Sequence, residues 1–300
     1  MAYIGELAAL FTSLCWAVAA VGFTFSSQRV SSIVTNRVRV MIAFLALMVI
    51  NAVLYGQPIP LQAGGARWFW LMLSGVVGLA VGDAFLFRAF EDVGPRIGLL
   101  LLSVAPVFSS IIAWVFFGET LTPIQITGIA VTLAGISWVV LVRPAGGEQR
   151  AKNHVRGVGF GLLGALGQAG GLVLARPALS DDFSPFAATL IRMIAAVVIL
   201  WGVAFFQKQV GETVDAVRRD PVALRWVTFG AFFAAVIGIS LSLLAVQHAE
   251  IGVASTLMAL PPVFMLPISY FVFKERFNWQ AVAGTLVAIA GVALLFLKIG

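Results

Sequence analysis

Residues 117–136 read FGETLTPIQITGIAVTLAGI, and residues 273–292 read FKERFNWQAVAGTLVAIAGV. The second stretch follows the first at a constant offset of 156 residues. Phe117, Glu119, Gly128 and Gly135 return as Phe273, Glu275, Gly284 and Gly291. The same offset, with no gap, carries the match from Gly82–Leu141 onto Gly238–Leu297 and sets Pro106-Val107-Phe108 over Pro262-Val263-Phe264. Apolar helices share composition, but shared composition does not place a Glu and a Pro in register. The chain therefore contains an internal repeat. Farther upstream the match is looser: Arg39 before Val-Met-Ile-Ala corresponds to Arg192 before Met-Ile-Ala-Ala.

Composition decides the solvent. A mean hydropathy of +1.03, 61% hydrophobic residues and 11% charged residues over 300 positions leave too little polar surface for a water-soluble domain of this size. A helix crosses the hydrocarbon core in roughly 20 apolar residues. Such runs occur at 3–24, 35–55, 67–90, 94–117 and 122–142, and again at 156–175, 183–206, 222–246, 251–273 and 278–298. The expected fold is an all-α integral membrane protein of ten spans. Residues 1–142 form one repeat, 143–155 a cytoplasmic linker and 156–300 the second repeat. Ala17-Val18-Ala19 resembles a signal-peptide cleavage site, but no Lys or Arg precedes it and the repeat needs that segment as a permanent helix.

Each repeat holds five spans. An odd number forces the second copy to enter the membrane upside down, and two inverted halves around a midplane site are a common transporter plan. The expectation is therefore two inverted five-helix repeats around a central cavity. Charge sets the orientation: fifteen Lys and Arg fall on the side opposite the termini, against Arg67, Arg176, Arg192 and Lys298 on the terminal side. Both termini are then expected to face the periplasm or exterior, in a multi-pass plasma membrane of the bacterial inner-membrane type. The net charge of +6 belongs to this bias; no soluble basic domain exists to hold nucleic acid. One cysteine, Cys15, and two histidines, His154 and His248, suggest neither a disulfide nor a metal site, and no cofactor is expected.

Several residues stand out within the spans. Asp83, in GLAVGDAFLFRAF, is an ionisable group deep in span 3. It either binds a substrate ammonium or a proton, or forms a structural pair with Arg88 or another Arg near the cytoplasmic end. Trp16 in span 1 and Gln168 in span 6 hold equivalent places in the two repeats. They either line a cavity for a small amphipathic molecule or serve packing. Pro106, Pro261, Pro262 and Pro267 interrupt spans 4 and 9, either as hinges that free backbone carbonyls or as static kinks. Glu6 lies about one turn into its span and reaches for the interface. Glu119 and Glu275 read as first-turn acids. The glycines of GVGFGLLGALGQAGG give span 6 a smooth packing face.

At these motifs a resemblance becomes specific. Ala89–Gly135, with its Pro-Val-Phe, its Gly-Glu-Thr-Leu-Thr turn, Gln125, Gly128 and Gly135, resembles the EamA domain of the drug/metabolite transporter superfamily; Lys274-Glu275-Arg276-Phe277, Gln280, Gly284 and Gly291 repeat it. Within that superfamily the chain is most similar to the YddG-type amino-acid exporters. The resemblance implies a secondary transporter exporting small amphipathic metabolites such as amino acids, aromatic or apolar ones included. It also implies a cavity lined by spans 4, 8 and 9, which adds Ser103, Ser242, Thr256 and Met258 to the substrate-binding candidates. Export of drugs or organic cations is the nearest rival reading. An intramembrane enzyme would need convergent catalytic groups, and the spans offer one deep Asp and no deep His. A channel would assemble symmetrically around a filter. No Walker-type loop is present, so ATP does not drive the cycle from this chain. Proton coupling and uncoupled facilitated transport both stay open. The expected partners are the lipid bilayer and a small-molecule substrate, and two fused repeats suffice for a working monomer.

Overall fold

The computed structural model describes residues 3–117, 122–141, 148–179, 183–248, 254, 257–274 and 279–294. Among them every regular element is helical. In lipid no water answers a bare backbone N–H or C=O, so a spanning chain satisfies its own backbone as helix. The first half contains α1 (Ile4–Val30), α2 (Ser32–Tyr55), α3 (Gly65–Ser74), a π-helical segment (Gly75–Gly82), α4 (Asp83–Leu102), α5 (Ala105–Phe117) and α6 (Pro123–Leu141). The second half contains α7 (Glu148–Ala175), α8 (Pro185–Phe206), α9 (Val210–Arg219), α10 (Pro221–Ala231), a second π-helical segment (Phe232–Gly238), α11 (Ile239–His248), α12 (Pro261–Val272) and α13 (Trp279–Leu294). Six runs are long and apolar enough to cross a bilayer by themselves: 4–30, 32–55, 65–102, 153–178, 185–206 and 221–245. Shorter apolar helices cover 126–138, 261–272 and 282–294.

The run from 65 to 102 joins what sequence periodicity divides into spans 3 and 4. The chain turns at one residue, Gly94, with φ 80 and ψ 167, and Pro95 opens the next helical stretch with its fixed φ. Helix α7 starts at Glu148, so the last eight residues of the expected linker, 148–155, are already helical. Ser31 alone separates α1 from α2. It has φ 80, and its hydroxyl accepts from the Val34 N–H at 3.4 Å.

Lipid tails are as apolar as leucine, so burial by itself does not drive helix association; close approach of small residues does. The interior follows that rule. A cluster of Val40, Ala43, Leu47, Leu79, Leu190, Met193 and Val236 ties α2, α8 and both π segments together. A second, of Phe23, Phe87, Phe90 and Met265, joins α1, α4 and α12, with Phe23 and Phe87 ring centroids 4.8 Å apart.

The two halves pack crosswise. Helix α1 lies along α10, the second π segment and α11; α7 lies along α3, the first π segment and α4. Helix α6 lies along α13, and the glycines of the repeated motif form that seam reciprocally. A β-carbon at Gly135 would stand 2.7 Å from the Gly284 carbonyl oxygen, and one at Gly291 would stand 2.8 Å from the Gly128 carbonyl oxygen.

Candidate functional site

Asp83 is the first residue of α4, immediately after the first π segment, and is 5% exposed. The wider π turn displaces the side chains that follow it, a device frequent at functional sites. Helix α7 reaches Asp83 because Gly167 packs directly on Gly82: a β-carbon at Gly167 would be 2.5 Å from the Gly82 Cα. That contact sets the neighbouring Gln168 against Asp83, and its Nε2 donates to Asp83 Oδ1. From α2, Arg39 donates through Nη2 to Asp83 Oδ2 at 2.5 Å.

Arg39 is 2% exposed. Its Nη2 and Nε also donate to Asn36 Oδ1, at 2.9 and 3.3 Å, and Nη2 lies 3.5 Å from the Leu79 carbonyl. Phe87 and Phe23 flank the guanidinium, with ring centroids 5.0 and 5.7 Å from Cζ. Arg192, from α8, is 4% exposed and within electrostatic reach of Asp83. Its guanidinium fits beside the first π segment because Gly78 carries no side chain: a β-carbon there would be 3.3 Å from Arg192 Nη2. The cluster holds one carboxylate and two guanidiniums inside the helix bundle, drawn from α2, α4, α7 and α8. Such groups are expensive inside a bilayer and mark functional sites by default.

The expected site residues divide into groups. Asp83 and Gln168 meet, and the Asp83 partner is Arg39. Arg88, the partner named from sequence, instead bonds Glu91 at 3.1 Å, one helical turn away. Trp16 packs on Gly238, the repeat counterpart of Gly82; a β-carbon there would be 2.8 Å from its Nε1. Trp16 borders the Phe23–Phe87 cluster and a smaller one containing Met258, so Trp16 and Met258 share an apolar neighbourhood. Ser103 and Ser242 are buried, and their hydroxyls donate to the carbonyls of Leu100 at 2.6 Å and Ile239 at 2.7 Å, each three residues back along the chain. Thr256 lies outside the described residues, as do Glu119 and Glu275.

The prolines stand at helix restarts. The break before α5 falls at Ser103–Val104, with Pro106 the second residue of the new helix. The Val107 and Phe108 N–H groups both donate to the Val104 carbonyl. The counterpart break precedes α12, which opens on Pro261 and Pro262, and the Val263 and Phe264 N–H groups donate to the Leu260 carbonyl. Only Pro267 is interior to its helix.

Sequence reasoning counted Arg39 and Arg192 among the charges that orient loops; both are buried in helices. Arg37 is buried too, donating to Thr213 Oγ1 at 3.1 Å and Gln209 Oε1 at 2.8 Å. Without these three the bias is thirteen against three, the same in sign. The signal for the two site arginines was present: they align with each other in the repeat, each inside an apolar run.

A bundle of helices of membrane-spanning length defines a multi-pass membrane protein, here with a charged cluster buried inside it. The model of the EamA-like transporter family matches residues 3–141 and again 155–297, and the chain belongs to that family. The chain is 21% identical over 252 residues to a chloroplastic WAT1-related protein of Arabidopsis thaliana, covering 83% of this chain and 59% of that protein's length. It is 37% identical over 85 residues to a probable 4-amino-4-deoxy-L-arabinose-phosphoundecaprenol flippase subunit, ArnE, of Pseudomonas fluorescens, over 28% of this chain and 72% of that one. A solved crystal structure superposes with a TM-score of 0.62 at 18% identity, covering 97% of this chain and 94% of the other.

Proposed function

We propose that the protein is a secondary transporter that exports small amphipathic metabolites, amino acids foremost, by alternating access between two inverted five-helix repeats, ten spans in all. The Asp83–Arg39–Gln168–Arg192 cluster carries this reading. Ionisable groups from both halves converge inside the bundle, where a bound solute exchanges its hydration for fixed protein dipoles. The crosswise packing of α1 and α7 and the reciprocal glycines at the α6–α13 seam support two equivalent half-gates. In this account the helix restarts at Pro106 and Pro261-Pro262 are hinges, with Pro267 a further bend, and Trp16 and Met258 form an apolar wall for the side chain of the cargo. Thr256 stays a substrate-binding candidate from the sequence alone.

In this reading the end that carries the Arg29–Asp220 and Arg156–Asp92 ion pairs faces the cytoplasm, and both termini lie outside a bacterial inner membrane. One chain forms the working unit. A carrier for organic cations would need an uncompensated carboxylate, and Asp83 is already neutralised by Arg39. The test is counterflow in liposomes of labelled phenylalanine, threonine, methionine and glutamate beside a cationic dye. Amino-acid exchange without dye movement is the expected result; dye movement alone overturns the reading.

A further inference from the structure

The charge balance of the buried cluster is incomplete. Both oxygens of Asp83 are taken, Oδ2 by Arg39 and Oδ1 by Gln168. Arg39 is further satisfied by Asn36 Oδ1. Arg192 is not satisfied. It is 4% exposed, its Nε meets no acceptor, and no carboxylate among the described residues stands within ion-pair distance of it. Asn36 Nδ2, in the same cluster, is a second buried donor with no acceptor. Among the described residues the deficit is therefore one negative charge, and the orphaned Arg192 Nε and Asn36 Nδ2 are both donors.

A buried polar group normally has its partner, and a buried cation without one is costly. A flat guanidinium fork matches a carboxylate, which accepts two parallel N–H bonds. We propose that Arg192 is the anion subsite of the transport site and takes the carboxylate of the cargo, with the Asn36 amide as an auxiliary donor. This inference rests on the transporter reading above and narrows its substrate class. Cargo must carry an anionic group, as zwitterionic amino acids and simple organic acids do, and amines without one are not carried.

Three probes that share a benzyl group separate the charges: phenylalanine, with both; phenylacetate, a carboxylate with no ammonium; and phenethylamine, an ammonium with no carboxylate. The full chain is purified in detergent, and the shift in Tm on adding each probe is read beside competition for counterflow in liposomes. Phenylalanine and phenylacetate are expected to raise Tm and compete, and phenethylamine to do neither. Arg192→Gln, which leaves the Arg39–Asp83 pair intact, should raise the half-saturating concentration of both acids about tenfold to a hundredfold. Arg192→Lys should retain part of the affinity, and if Arg192→Gln does not fold the lysine variant carries the comparison, with an expected loss of about tenfold.

Equal effects of phenethylamine and phenylalanine would overturn the subsite, as would acid responses unchanged in the Arg192 variants. No Tm shift and no competition from either acid would overturn it as well. If labelled amino acids do not move but phenylacetate still stabilises wild type and not the variant, the amino-acid transport reading fails and the subsite stands.

Discussion

Arg39 and Asp83 form an ion pair of 2.5 Å with side chains 2% and 7% exposed, and a hydrogen bond from Gln168 closes the remaining oxygen of the carboxylate. Breaking such a pair from one side strands a buried charge, at a cost of roughly 3–5 kcal/mol, whereas replacing both partners with apolar groups of similar volume is often neutral. Asp83→Asn should therefore lower Tm sharply, since it leaves the buried Arg39 without its ion-pair partner. Asp83→Leu combined with Arg39→Met should restore much of the loss. Thermal unfolding of the three proteins in one detergent checks this.

The α6–α13 seam predicts a second pattern. Alanine at Gly135 or Gly291 drives a methyl group into the facing backbone. Backbone cannot rotate away as a side chain can, so each variant should be destabilised by about 1–3 kcal/mol. Gly202, in α8, has nothing within 4 Å of its β-position, and Gly202→Ala should be neutral or slightly stabilising. A ranking with Gly202→Ala as damaging as the seam variants would contradict the packing described.

The seam and the site differ in how legible they were in the sequence. The offset of 156 residues exposed Gly128, Gly135, Gly284 and Gly291 together, because a rigid backbone contact leaves a fixed residue type at a fixed place. Asp83 and Gln168 were both chosen, one for its charge inside an apolar run and the other for its place in the repeat. Their contact was not foreseen, since it depends on Gly167 seating on Gly82 across 85 positions of chain. Arg39 and Arg192 were misread as loop charges because periodicity places span ends within a few residues, and an arginine near a span end fits either side of that boundary. Ser103 and Ser242 show the opposite limit: a hydroxyl in a span looks available until a carbonyl three residues back accepts its proton.

The helix restarts predict a kinetic effect. Pro106→Ala and Pro262→Ala return a backbone N–H at the breaks before α5 and α12 and favour a continuous helix. If these breaks flex during the cycle, both variants should lower the maximal counterflow rate severalfold while leaving the half-saturating concentration within about twofold. A changed affinity with an unchanged rate would assign the prolines to the binding site.

Between α1 and α10, Asp220 caps α10 by accepting from the Ala223 N–H at 2.9 Å and also accepts from Arg29 Nε at 2.7 Å. The Ala223 amide first, then Arg29, hold this carboxyl below its ordinary value of 3.8. A lowered folded-state value means that the contribution to stability is fully present above that ordinary value and is lost as pH falls through the lowered one. Between pH 5 and pH 3 the wild-type Tm should consequently fall more than that of Asp220→Asn, whose amide keeps an acceptor for the cap and does not titrate. Parallel Tm curves would remove Asp220 from the acid response.

The most direct test of the account compares counterflow of labelled phenylalanine by wild type and by the Asp83→Leu, Arg39→Met double variant, after size-exclusion and Tm establish that both are folded. The account predicts rapid exchange by wild type and none above empty liposomes by the variant. Equal exchange by the two proteins would show that the buried ion pair only holds the bundle together, and would contradict its role in transport.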